Sequence, residues 1–202
     1  MRRLFLYGLL VSLIAISPAH ALIDADQNWR IAPGIELFRA SLSFDESGPG
    51  AGQELASGFT IAGRLIAGSN LAKTFSIGLD LRQSFARADG QVDFGILATR
   101  LGVRGDWLIN DRWHLGAAWY FGDTVVVRHH DRQYNGTSAT FSLSARAAGP
   151  AVWYLQYSFG SYQEGPGFIT LTRRPGEESL RLQAIGIGVE FPISIGSLAG
   201  DS

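Results

Sequence analysis

Apolar side chains alternate with small or charged ones, residue by residue, along most of this chain. In one stretch the two interleaved sets are Phe75, Ile77, Leu79, Leu81 and Phe85, and Ser76, Gly78, Asp80, Arg82 and Ser84. Because successive side chains of a β-strand point to opposite faces, this period predicts a strand with one apolar and one polar face. About eight segments follow the pattern. They predict an all-β chain that folds as an eight-stranded antiparallel up-and-down barrel.

The apolar faces are too bulky to fill the interior of such a barrel. Each predicted strand contributes four or five large apolar side chains, whereas an eight-stranded barrel holds only enough side chains to close its own lumen. The opposite faces carry glycine, alanine, serine and a few charges. We therefore predict a transmembrane barrel with lipid outside and a polar filled interior. A soluble periplasmic lipocalin-like binding barrel, with its apolar face turned inward, is the structural alternative.

The N-terminus has the three parts of an export signal. Arg2 and Arg3 precede an apolar run over 4–16, and Ala19-His20-Ala21 forms a small-residue cleavage site. The run is shorter than the about 20 residues that a membrane-spanning helix needs, although a retained anchor is the alternative reading. We predict a cleaved signal peptide over 1–21 and a single barrel domain over 22–202.

Composition excludes several functional classes. Removal of Arg2 and Arg3 with the signal leaves 15 basic against 18 acidic residues, which provides no electrostatic basis for binding nucleic acid. Cysteine is absent, so disulfides and thiolate chemistry are excluded. Charged residues make up 17% of the chain, below the roughly 25% of soluble proteins. After the signal there is no long apolar run, so helical membrane spans are excluded as well.

Turn residues divide the chain into strands. We predict strands over 35–44, 57–67, 74–87, 94–108 and 139–147, a fifth from Trp113, a seventh around 153–160 and an eighth ending at Phe191. Short turns follow strands two, four and six, and the long external loops are predicted at 45–54, 128–137 and 162–178. In membrane barrels the short turns are periplasmic. This parity places the N-terminus in the periplasm.

Two local features make specific structural predictions. In the first strand, Phe38, Ala40, Leu42 and Phe44 form the apolar face, so Arg39 should point inward. If the tight hairpin is centred on Asn110, Trp107 faces Trp113 and Asp106 faces His114 across the ladder. In that register His114 and Asp106 would form a structural pair.

Two motifs resemble those of a known group of proteins. The run Ile109-Asn110-Asp111-Arg112-Trp113-His114-Leu115-Gly116 resembles the periplasmic hairpin of the small eight-stranded outer-membrane barrels, the group that contains the OmpA transmembrane domain, OmpX and the opacity-type proteins. Gly186-Ile187-Gly188-Val189-Glu190-Phe191 resembles their terminal assembly signal, although eleven residues follow Phe191. The resemblance implies a Gram-negative outer-membrane barrel in contact with membrane lipid and lipopolysaccharide. It implies no active site.

Charged side chains on the inward faces predict an interior ion network. Its predicted members are Arg39, Arg64, Asp80, Arg82, Arg100, Arg104, Asp106, His114, Arg146 and Glu190. Buried charges must pair because an unpaired one costs several kcal/mol. Six arginines against three carboxylates leave an excess, which would also suit an anion path or a catalytic polar cluster, although a structural network is the favoured interpretation. An interfacial aromatic girdle is predicted near the short turns, formed by Phe75, Trp107, Trp113, Trp153 and Phe191.

Metal and enzyme chemistry have weaker support. His129-His130-Asp131 offers ligand types, but adjacent side chains diverge and no second ligand pair has a familiar spacing. We predict no metal and no cofactor. A lipid A-modifying acyl hydrolase or acyltransferase is the enzyme alternative, because 149–165 loosely resembles a strand of outer-membrane palmitoyltransferases. That chemistry would need His129 or His130 with a serine such as Ser138.

The sequence thus predicts a non-enzymatic outer-membrane protein with a structural or surface-interaction role. Loops vary while the barrel positions them, so binding of a protein or other surface ligand would belong to the external loops. The sequence names no partner for them.

Overall fold

The structure is a computed structural model that describes residues 29–45, 52–67, 75–128, 132–146, 150–165 and 179–194. Almost all of these residues lie in strands, and none forms a helix long and apolar enough to cross a membrane. The predicted signal peptide lies outside the described residues. The strands are β1 Trp29–Asp45, β2 Gly52–Ala67, β3 Phe75–Ala88, β4 Ile96–Leu108, β5 Trp113–Val127, β6 Arg132–Arg146, β7 Val152–Glu164, β8 Ser179–Glu190 and the short β9 Ile193–Ser194.

The sheet closes on itself. Each strand pairs antiparallel with the next, and β1 pairs with both β2 and β8. The β1–β8 ladder runs from the Gly34–Glu190 pair to the Asp45–Ser179 pair, and β9 extends it by pairing with Arg30 and Ile31. The predicted fold class, an eight-stranded up-and-down barrel, is confirmed. We call the end with the 109–112 hairpin the base, and the end where β1 finishes and β2 begins the rim.

Around the base half, apolar side chains face outward and polar ones face the lumen. Leu79 is 50% exposed and Leu81 is similarly open, whereas Asp80 and Arg82 between them are buried. Apolar exposure of this extent around a closed sheet suits a lipid environment, because closure leaves no unpaired backbone edge there.

Towards the rim the two faces exchange polarity. Leu42 is 1% exposed, and Phe44 and Leu180 are also buried in the lumen, while Ser41 and Ser43 point outward. The rim half of the lumen therefore holds an apolar core rather than a polar filling. Its members are Ala40, Leu42, Phe44, Ala56, Ala86, Ala88, Ile96, Ala98, Val125, Val127, Tyr134, Tyr162, Leu180, Leu182 and Ala184.

This reversal corrects the predicted faces of the first strand. Ala40, Leu42 and Phe44 point inward, Phe38 packs against the apolar core, and Arg39 is exposed. Period two defines which residues share a face but not which face is inside. Above the lipid, water surrounds the barrel, and the apolar set of β1 is buried on the inner side instead.

The strands are longer than predicted at the rim. β2 already starts at Gly52, β6 starts at Arg132, and β7 continues to Glu164. Much of the predicted external loops 45–54 and 128–137 is therefore strand, and the connection 128–131 is as short as the base hairpin 109–112. Loop length alone does not orient this barrel, whereas the exchange of face polarity distinguishes rim from base.

The strand pairing around β5 differs from the prediction at two points, the hairpin register and a bulge. The hairpin pairs Trp107 with Leu115 and Leu108 with His114, two residues away from the predicted register. The Asn110 side-chain oxygen accepts hydrogen bonds from two backbone NH groups of the turn, at 3.0 and 3.1 Å, which stabilises the hairpin locally. In β5 the ladder skips Phe121, a β-bulge that turns Gly122 outward and the next residue inward.

The reversed faces predict opposite sensitivities for two adjacent residues. Leu42→Ala should lower the free energy of unfolding by about 2–5 kcal/mol, because it leaves a cavity in the rim core. Ser43→Ala, the outward neighbour, should change it by about 0.5 kcal/mol or less. Urea titration of the refolded protein in lipid vesicles measures both values. Greater sensitivity at position 43 would contradict the reversal.

Candidate functional site in the barrel lumen

The middle of the lumen is organised around Arg82. Its guanidinium donates to Glu36 at 2.7 Å and to the Gln156 side-chain oxygen at 2.8 Å, and its Nε lies 3.2 Å from Asp80. Gln156 donates in turn to Glu36 at 2.8 Å, and Tyr120 donates to Asp80 at 3.0 Å. Side chains of β1 and β7 thus converge on a buried cation of β3, and Tyr120 of β5 joins through Asp80.

A second cluster lies nearer the base. Arg64 donates to both carboxylate oxygens of Glu190, at 2.7 and 3.0 Å, and also contacts Asp106. Arg104 donates to the other oxygen of Asp106 at 3.0 Å and to Ser142 at 2.7 Å. Charge-assisted hydrogen bonds of this kind compensate part of the large cost of removing these charges from water.

Tyr154 joins the two clusters. Its ring lies 5.7 Å from the guanidinium carbon of Arg82 and 5.9 Å from that of Arg104, within the range of cation–π attraction. Its hydroxyl donates to Glu36 at 3.3 Å. A side chain at Gly188 would collide with the Tyr154 ring, so the glycine leaves room for the ring on the inner face.

A third group lies just below the apolar rim core. Asp123 accepts hydrogen bonds from Ser138 and, at 2.8 Å, from Tyr162. Arg100 approaches the same carboxylate at 3.5 Å. The β-bulge brings Asp123 to this position, because regular alternation from Trp119 would point it outward.

The buried charges balance among the described residues. Five arginines (Arg30, Arg64, Arg82, Arg100 and Arg104) accompany five carboxylates (Glu36, Asp80, Asp106, Asp123 and Glu190). The predicted arginine excess disappears because Arg39 points outward and Arg146 is only half-buried, whereas the buried Arg30, Glu36 and Asp123 were not predicted. Arg39 pairs outside with Asp89 at 2.7 Å, with both side chains about half exposed.

Sequence signals for the missed residues differ. Glu36 lies within the predicted strand 35–44, on the face of Phe38 that was predicted to point outward. The apolar Ile35 and Leu37 on either side of it were the signal that this face points inward. Arg30 lies in the part of β1 that the predicted strand omitted. Asp123 had no signal, because a bulge leaves the local composition unchanged.

His114 is buried at the base and lines the same cavity as Asp106, although the two residues do not face each other across the ladder as predicted. Its Nε2 atom has no hydrogen-bond partner, and neither has the hydroxyl of Ser144. Both side chains line an internal cavity of about 10 Å³, roughly the space for one water molecule. Arg146, the last residue of β6, is half-buried at the same end.

The predicted girdle residues all lie at the base ends of their strands. Phe75 pairs with Trp107 across β3 and β4, and both rings are exposed. Trp113 and Trp153 are half-buried and both pair with Ala145. Phe191 is exposed directly after β8.

The serine and histidines considered for acyl transfer are either buried or outside the described residues. Ser138, the serine considered for acyl transfer, is buried and donates its hydrogen bond to Asp123. His129 and His130 lie outside the described residues. Within the described residues no group of histidine and carboxylate side chains could hold a metal ion.

No protein-family model matches this chain, and no relative is found among curated protein sequences. Several solved structures are similar to it. Neisserial surface protein A has 11% identity and a TM-score of 0.46 over 79% of this chain and 97% of that one. Ail, the attachment invasion locus protein of Yersinia pestis, has 12% identity and a TM-score of 0.45 over 80% of this chain and 99% of that one. The outer membrane protein OprG of Pseudomonas aeruginosa has 9% identity and a TM-score of 0.41 over 88% of this chain and 99% of that one.

The strand pairing itself, rather than these similarities, establishes the architecture. A closed eight-stranded sheet whose base half has an apolar exterior and buried ion pairs is the architecture of the small outer-membrane barrels, as the sequence predicted.

The two kinds of arginine pair predict different stability effects. Arg64→Gln should lower the free energy of unfolding by about 3–5 kcal/mol, because Glu190 and Asp106 would lose a shared buried cation. Arg39→Gln removes an exposed pair and should cost about 1 kcal/mol or less. Denaturant titration of both variants in vesicles is the measurement, and equal losses would argue against a structural role for the inner network.

Proposed function

We propose that this chain is an outer-membrane protein that presents an interaction surface at its rim, with the lumenal ion network serving as structural support. The observation that carries this proposal is the exchange of face polarity along the strands. β1 continues for seven residues from Arg39 to Asp45 after its outward apolar residues end. At about 3.3 Å per residue, this adds roughly 20 Å of strand beyond the lipid zone.

A barrel that only spanned the bilayer would have no need of this extension. The projecting part has its own apolar core inside, and most of its outward side chains are hydroxyls, amides and arginines, with Leu55 as an exposed apolar exception. Outward polar residues are hydrogen-bonded across strands, for example Gln53 to Ser41 and Thr99 to Gln83, both at 2.7 Å. The rim is thus a rigid support for binding residues.

The connection between β3 and β4 is the best described binding candidate on the rim. Val92 is 85% exposed, and Phe94 is also exposed. The ring centroid of Phe94 lies 5.7 Å from that of Phe59. An open cleft of about 790 Å³ is lined by this connection, including Asp93, and by Arg128, whose backbone NH donates to the Gly95 carbonyl at 2.7 Å. Exposed apolar residues outside the lipid zone, bordered by charges, suit a protein or glycoconjugate partner.

Channel and enzyme functions have less support. Paired charges fill the base half of the described lumen and an apolar core fills the rim half, so the described interior contains no continuous polar path. Lipid A hydrolysis or acyl transfer would need an accessible nucleophile, whereas Ser138 is buried against Asp123.

Single cysteines test the orientation, since the chain has none of its own. Val92→Cys at the rim should react with a membrane-impermeant maleimide on intact cells. Asn110→Cys in the base hairpin should react only after the outer membrane is permeabilised. Labelling of Asn110→Cys in intact cells would place the base outside and overturn the proposed orientation.

Attachment assays test the interaction role. Cells that express the protein should adhere to matrix-coated or epithelial surfaces more than cells without it, and Val92→Asp should remove most of the gain by placing a charge in the apolar patch. Arg112→Gln, at the opposite end of the barrel, is the matched control and should adhere like wild type at equal surface amounts. Adhesion independent of the protein, or steady conductance of the purified barrel in planar bilayers, would contradict the proposal.

A further inference from the structure

Three exposed arginines lie outside the barrel on one side of the rim half. Arg39 belongs to β1, Arg87 to β3 and Arg181 to β8, and these strands with β2 form one continuous arc. Arg39 and Arg87 both pair with Ser57 from opposite sides, so their Cα atoms are about 10 Å apart, two strand spacings. Arg181 pairs with Ser43, four residues beyond Arg39 on β1.

The arc lies where the apolar exterior ends. Arg39 pairs directly with Ile185 across β1 and β8. Ile185 is exposed, and Leu37, the preceding outward residue of β1, is 64% exposed. A molecule on this surface would therefore meet apolar side chains below and guanidinium groups immediately above them.

Among the described residues, most exposed arginines of the rim half lie on this side of the barrel; Arg128, directly after β5, is the exception. At the corresponding level, the outward polar side chains of β4 to β7 are the neutral Thr99, Thr124, Asn135, Thr137, Ser161 and Gln163. A general solvating surface would distribute its charges around the circumference.

Carboxylates offset the arc only in part. Asp89 pairs with Arg39, and Asp45 lies at the far end of β1, six residues beyond Arg39. Within the described part of the chain, Arg87 and Arg181 form no ion pair. Their donors are available to an anion, and a guanidinium can bind two phosphate oxygens at once.

We propose that this arc, formed by Arg39, Arg87 and Arg181, binds the phosphorylated headgroup of lipid A, with the acyl chains lying on the apolar surface around Leu37 and Ile185. The proposal rests on the outer-membrane location and orientation proposed above. Lipid A is chosen over other anions because it combines phosphate groups with acyl chains, and the arc joins a cationic to an apolar surface at the outer edge of the lipid zone.

The test is titration of the purified, refolded full chain in detergent with bis-phosphorylated lipid A. The triple variant Arg39→Gln/Arg87→Gln/Arg181→Gln should bind about tenfold more weakly or worse, since several charge-assisted hydrogen bonds are lost. All three side chains are exposed, so the variant should fold, which heat-dependent gel mobility verifies. Arg112→Gln, an exposed arginine in the base hairpin, is the control and should bind like wild type.

Two further ligands complete the test. Lipid A with its phosphates removed should bind the wild type about tenfold more weakly, and phosphatidylglycerol should also bind more weakly than intact lipid A. Unchanged binding by the triple variant, or equal binding of the dephosphorylated lipid, would overturn the site. Equally tight phosphatidylglycerol would overturn the choice of lipid A. Because the titration uses purified protein, its failure is separate from a failure of the labelling and attachment experiments.

Discussion

Closure of the β1–β8 ladder is the constraint on which the rest of this structure depends. Neither lipid nor a tightly filled lumen can hydrogen-bond an open strand edge, so the first and last long strands must pair. Once they do, the lumen has a limited cross-section, and every inward side chain must fit and be paired. Glycines at such positions as Gly186 and Gly188, where a Cβ would meet Glu36 or Tyr154, follow from that limit.

Two solvents then determine how the lumen is filled. Beside the lipid the exterior must be apolar, and the interior collects paired charges such as Arg64 with Glu190. Beyond the lipid the exterior must be polar, and the apolar residues of the same strands form a core around Leu42 and Leu180. The boundary between these zones connects the fold to the proposed function, because the rim lies beyond it in water and Arg39 lies at the edge of the lipid.

Two arginines show that the residue type alone does not determine whether a charged side chain belongs to the interior network. Arg39 and Arg82 are both arginines on predicted strands, yet one lies in solvent beside Asp89 and the other is buried among Glu36, Asp80 and Gln156. Their different environments imply different contributions to stability, because a surface pair is screened by water and a buried group has no substitute for its partners.

The sequence by itself determined the strand period, the number of long strands, the barrel class and most of the lipid-facing residues. These follow from local alternation, which each strand carries in its own composition. Only the tertiary structure decided which face of β1 is inside near the rim. A period of two defines which residues share a face, but the surrounding solvent determines which face is buried. Tertiary structure also placed Asp123, through a bulge without a compositional signal. It alone brought Glu36, Arg82 and Gln156 together, since pairing across a closed barrel depends on the register of every strand between them.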